Sequence, residues 1–172
     1  MNSQQEWISS VINDFLLNFP ENTLENEANE KAWIEAIVGF SNGADPIFEA
    51  YKEHVGPFHF TPYEIFSHTF PSVRIEPEQL TVISYILPQT VATKTENRRE
   101  KLFPSERWVR ARIYGEEVNR KIRQTVVDAL QKAGYKAVAP MGIKTIQAFR
   151  RCFQLVGKAR SLRVQARHLR PL

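Results

Sequence analysis

The sequence predicts an α/β body over residues 1–141, with α+β as the alternative, built on an incomplete sheet with flanking helices. Three observations lead there. Residues 80–87 (LTVISYIL) form a β-branched and aromatic run of strand length. Residues 106–133 repeat apolar side chains every three or four positions behind a Ser105 cap, which is the pattern of an amphipathic helix. Gly134 then stops the helix, and residues 135–141 (YKAVAPM) return to a short β-rich run. Strand, connection, helix and strand in that order describe a βαβ-like unit and point to an α/β sheet.

From the amino terminus, residues 5–19 place Trp7, Ile8, Val11, Ile12, Phe15 and Phe19 on one helical stripe, which Pro20 closes. Residues 21–30 are polar and acidic, as expected of a surface connection. Turn signals crowd residues 33–66: Ser41-Asn42-Gly43, Asp45-Pro46, Gly56-Pro57 and Thr61-Pro62. Among them, residues 46–55 suit a short helix capped by Asp45 with Pro46 in its first turn, and Thr61-Pro62 opens another in the same way. The near-continuous apolar run of 80–87 predicts a central strand buried on both faces, ended by Pro88. Residues 91–104 are polar and basic and predict a long loop. The helix of 106–133 directs Trp108, Ile113, Val118, Ile122, Val126, Val127 and Leu130 inward. Trp33, Phe40, Phe48 and Phe58 are expected in the core rather than on a stacking platform.

Hydrophobic residues make up 42% and charged residues 24%, which is ordinary for a globular chain. No stretch is apolar for long enough to span a bilayer, so no membrane partner is expected. The first residues lack a basic segment followed by an apolar one, and a cytoplasmic location is expected. A lone cysteine, Cys152, excludes both an internal disulfide and a four-cysteine cluster within this chain. His54, His59, His68 and His168 have no ligand spacing and are expected as surface or loop-packing residues. No phosphate-binding loop, dinucleotide fingerprint or nucleophile elbow is present.

The net charge of +4 is unevenly spread. Residues 142–172 hold 8 of the 23 basic residues (Lys144, Arg150, Arg151, Lys158, Arg160, Arg163, Arg167 and Arg170) and none of the 19 acidic ones. A mildly acidic body is therefore followed by a basic tail. Such a tail is either a nucleic-acid-binding arm or sequence never selected as protein.

Several stretches resemble the epoxyqueuosine reductase-like iron–sulfur proteins. They are VGFSNGADPIF (38–48), GPFHFTPYE (56–64), VISYILPQT (82–90), PSERWVRARIYGEE (104–117) and GYKAVAPM (134–141), which lie in family order within residues 33–141. The resemblance implies an N-terminal corrinoid-domain-like portion of a larger oxidoreductase. In the full-length parent it implies a corrinoid and two [4Fe–4S] clusters, with the clusters carried on later cysteine runs. It also implies a redox donor, and a tRNA or another anionic substrate. No cofactor is assured in this chain itself. Arg107, Arg110, Arg112 and Tyr114 fall where the family's basic, tyrosine-containing segment faces its corrinoid and substrate cleft, so they are the cofactor-binding candidates. Arginine forks suit phosphate and amide ligands, whereas a solvated helix face is the plainer alternative. The segment Lys94–Lys101, with Arg98 and Arg99 inside it, is a second cationic candidate.

After Met141 the resemblance stops. The family continues there with a Trp-Ser-Glu-Arg-His-Ala run and a Gly-Leu-Gly turn. Ordinary codons for residues 153–172, read one base later, can spell SNWSERHAPYVCRLGTFGL. A shift of reading frame near residues 141–142 is therefore expected, with 142–172 as its out-of-frame product. Two functions follow from these observations. The first is a truncated front portion of an iron–sulfur oxidoreductase, inactive by itself. The second is a small nucleic-acid-binding protein with a basic C-terminal arm.

Overall fold

Helix α1 (Ser3–Asn18) forms because its apolar residues recur at helical spacing; Ile8, Ile12 and Leu16, each four apart, make its buried line. Leu16 joins a stripe from which Trp7 is turned partly to solvent. The computed structural model describes residues 3–140. After α1 the chain is not the simple surface connection expected, since Asn22 and Leu24 are buried. The Asn22 side chain donates to the carbonyls of Leu16 and Trp33 and accepts from the Trp33 amide at 3.0 Å. One buried amide thus ties the end of α1 to Trp33 with its hydrogen bonds satisfied.

Strand β1 (Ile37–Asn42) lies inside the stretch read as turns and short helices. It pairs antiparallel with β2 (Thr81–Ile86) in a register running from Ile37 opposite Ile86 to Asn42 opposite Thr81. The fold is mixed helix and strand, but the sheet of the described residues is a two-stranded antiparallel ribbon rather than a parallel βαβ unit. The intervening chain reverses direction through α2 (Ile47–His54), α3 (Pro62–Thr69) and a 3₁₀ turn at Pro77–Gln79. Nor is β2 buried on both faces. Val38, Phe40, Ile83 and Tyr85 face the core, whereas the cross-strand pair Ile37 and Ile86 points outward, 63% and 45% exposed. Residues 135–140 form no strand, and Met141 lies outside the described residues.

The helix caps follow the expected chemistry. The α2 helix starts one residue later than predicted, with Pro46 rather than Asp45 in the cap position, and the Asp45 carboxylate accepts the Ile47 amide at 3.0 Å just ahead of it. Thr61 and Glu64 form a reciprocal capping box, and Lys52 reaches Glu64 at 2.6 Å to join α2 to α3. Residues 91–99 are a helix, α4 (Val91–Arg99), and not the expected loop. Thr90 caps it by accepting the Thr93 amide at 3.3 Å. Its inward face is Thr93, Glu96 and Asn97, at helical spacing but polar, so hydrophobic periodicity could not register it.

Helix α5 (Glu106–Lys132) starts where Ser105 accepts the Trp108 amide. It ends in a Schellman motif: Gly134 adopts φ +87°, its amide reaches the Gln131 carbonyl, and the Tyr135 amide reaches the Leu130 carbonyl. The buried line of α5 is Ala111, Gly115, Val118, Ile122 and Val126. Ile113, expected inside, is 63% exposed because it sits about half a turn away from that line.

The main core lies where α1 and α5 pack beneath one face of the ribbon. Ile8, Ile12, Leu16, Ala36, Val118, Ile122 and Val126 form it, with Val38, Phe40, Ile83, Tyr85 and Leu87 against them. Burial pushes the Tyr85 phenol up to about 12, and its hydroxyl donates to the Asn119 side chain at 2.5 Å. Trp33 and Phe40 pack on this core and Phe48 is buried within α2, but Phe58 is largely exposed, contrary to expectation. No described helix is long and apolar enough to cross a membrane.

Candidate functional site

The first turns of α5 carry the four residues singled out by resemblance. Arg107 grips Glu30 with two donors, Nε at 2.9 Å and Nη2 at 3.2 Å, and Glu96 of α4 with Nη1 at 2.6 Å. The fork therefore joins three segments: the connection after α1, α4 and α5. Glu30 is itself ordered by Asn26, whose side chain donates to it and accepts its backbone amide. The Arg107 hydrogen bond, reinforced by Asn26, holds the Glu30 carboxyl below the usual carboxylate range. The two carboxylates correspondingly hold the Arg107 charge more firmly than usual.

Arg110 lies on the same flank of α5. Its Nε donates to Glu106 at 2.7 Å and its Nη1 to the Glu25 carbonyl at 2.9 Å, where the backbone takes φ +51°. Tyr114 is half-buried one turn further along that flank. Arg112 is not with them. Two residues on from Arg110, it is turned well over a third of the way round the helix and is exposed. The helix thus brings Arg107, Arg110 and Tyr114 together and separates Arg112 from them.

No local pattern pointed to Glu30 and Glu96 as partners of Arg107. Glu30 is 77 positions from Arg107, and only the tertiary fold makes them neighbours. Next to this flank, Asn97, Glu100, Lys101, Leu102, Phe103, Pro104 and Trp108 line an open cleft of about 300 Å³. Lys101 is exposed in this lining, and Lys94, Arg98 and Arg99 are exposed on α4.

The implied clusters have no ligand set among the described residues. A four-iron cluster needs four thiolates, and the single Cys152 lies outside the described residues together with His168. Among the described residues no group of three or more His, Cys, Asp or Glu side chains could hold a metal ion. Arg107 already commits three of its five donors to Glu30 and Glu96, and Arg110 two to Glu106 and the Glu25 carbonyl. On α2 and the turn after it, Tyr51 and His59 lie with ring centres 5.1 Å apart, and burial pushes the His59 imidazole down. His68 packs edge-on against Phe60, and His54 is exposed.

Set against protein-family models, curated proteins and solved structures, the chain matches none.

The arginine clamp has a pH signature. Glu30 is depressed, so its stabilising contribution is complete above its ordinary titration range and is lost as pH falls through its lowered value. Arg107→Ala is expected to destabilise the protein at neutral pH, with the gap from wild type closing as the solution is acidified. Thermal melts from neutral to strongly acidic pH check this; a gap independent of pH would show that Glu30 does not depend on Arg107.

Proposed function

We propose that the body is the front, corrinoid-domain-like portion of an iron–sulfur oxidoreductase similar to epoxyqueuosine reductase, cytoplasmic and inactive by itself. The observation that carries this is the ribbon. Neither β1 nor β2 contains a charged residue or a proline, and among the described residues no third strand pairs with either outer edge. Natural edge strands are usually blunted by lysine, proline or bulges, and sheets usually have more strands. Such a ribbon, with Ile37 and Ile86 outward, suits a sheet that continues in a larger protein. The resembling stretches also fall on working parts of the body: 38–48 on β1, 82–90 on β2 and the α4 cap, and 104–117 on the start of α5. In this proposal the clusters, the donor site and the reducing chemistry belong to sequence that the altered frame replaced.

Sequencing the gene from the Leu130 codon past the stop tests the proposal. The adjacent frame is expected to continue through Trp-Ser-Glu-Arg-His-Ala into cysteine-rich cluster motifs, and the purified chain to lack cluster absorbance and reductase turnover. A neighbouring frame without that run would overturn it. The basic residues of 142–172 would then favour the nucleic-acid reading, recognised by salt-dependent retention of RNA that is lost when 142–172 is deleted.

A further inference from the structure

The turn between α4 and α5 carries the two most exposed large apolar side chains among the described residues, and they are adjacent: Leu102 at 88% and Phe103 at 78%. Exposing both to water is unfavourable, and nothing in the packing of the described core calls for it. Pro104 follows and Ser105 caps α5, with its amide held by the Asn97 side chain at 3.0 Å, so the turn is braced at its base. The chain that leads into the turn is cationic. Lys94, Arg98, Arg99 and Lys101 are exposed, and among the described residues none of them has an ion pair. Of the nearby acids, Glu96 is engaged by Arg107 and Glu106 by Arg110, which leaves Glu100 as the one opposing charge on this turn. Trp108 lines the same cleft as Phe103.

We propose that this turn is a peripheral membrane contact: Leu102 and Phe103 enter the headgroup–acyl boundary of an anionic lipid surface while Lys94, Arg98, Arg99 and Lys101 meet its phosphates. The combination is what selects the ligand. Basic side chains alone fit any polyanion, but two neighbouring apolar side chains held out on a braced turn also need an apolar phase to enter. A nucleic-acid backbone offers no such phase for Leu102. The contact is independent of the oxidoreductase proposal, and it lies on the surface of a bilayer rather than across it.

The test uses the full chain with vesicles of phosphatidylcholine alone or mixed with phosphatidylglycerol. Phe103→Trp is expected to shift its fluorescence to the blue on mixed vesicles and far less on neutral ones. The Leu102→Ser/Phe103→Ser double variant is expected to partition roughly tenfold more weakly onto the mixed vesicles. Arg98→Gln/Arg99→Gln is expected to weaken binding and flatten its salt dependence. All these side chains are exposed, so far-UV helicity should be unchanged and loss of binding is not loss of fold. Binding that the Leu102/Phe103 double variant leaves intact would rest on basic residues alone and overturn the proposal. An unshifted Phe103→Trp signal on vesicles, or one that RNA shifts as strongly, would overturn it too.

Discussion

Ile122→Ala is expected to lower the free energy of unfolding by about 3 kcal/mol, within the usual range for emptying a fully buried aliphatic site. Ile122 is 0% exposed on α5 and belongs to the same cluster as Ile12, also 0% exposed, on α1. The ribbon lays Val38, Phe40, Ile83 and Tyr85 against that cluster. Loss of the side chain therefore removes contacts from two helices and a sheet at once, and three elements converging from different directions cannot all collapse into the gap. Urea titration of the full chain followed by far-UV circular dichroism measures the change through the transition midpoint. A loss below about 1 kcal/mol would mean that the α1–α5 seam repacks freely and is not the centre of the fold.

Gly115 makes the second large prediction, because here two known effects oppose each other. A Cβ built at this position would stand 2.5 Å from Cζ2 of Trp33 and 3.2 Å from its Cε2. Replacing a mid-helix glycine by alanine gains about 1 kcal/mol of helix propensity. Forcing an extra carbon into a packed site costs about 1–3 kcal/mol. Trp33 cannot step aside cheaply, since Asn22 holds its backbone amide and carbonyl and its side chain packs against both the α1–α5 core and the cluster of Leu24, Ala32 and Ala111. Overpacking should therefore win: Gly115→Ala is expected to be mildly destabilising, and Gly115→Val to cost about 3 kcal/mol or more. Tryptophan fluorescence during denaturation reads both variants. A Gly115→Ala protein more stable than wild type would show that the indole moves easily. The glycine of the IYGEE stretch thus has a packing role, whatever chemistry the rest of that stretch serves.

Local sequence determined the features whose causes are local. The stripe of α1, the Thr61 and Ser105 caps, the length of α5 and its Gly134 stop all rest on residues within a few positions of one another, and they lie close to where pattern and capping chemistry put them. The strand at 81–86 was legible for the same reason: β-branched and aromatic side chains favour a pleated surface whatever its partner.

Tertiary structure decided the rest. β1, hidden among turn residues, becomes a strand because β2 supplies its hydrogen bonds, and the excursion through α2 and α3 makes the pairing antiparallel. α4 exists without an apolar stripe because its inward face is polar and finds polar partners: Asn97 takes the Ser105 amide and Glu96 takes Arg107. The candidate arginines show the division most plainly. Their spacing on α5 was readable, and it already separates Arg112 from Arg107 and Arg110. Their engagement by Glu30, Glu96 and the Glu25 carbonyl was not, because those groups come from other segments of the chain. Residue spacing fixes which way a side chain leaves its helix, whereas a hydrogen bond needs a partner delivered by the packing of the whole chain.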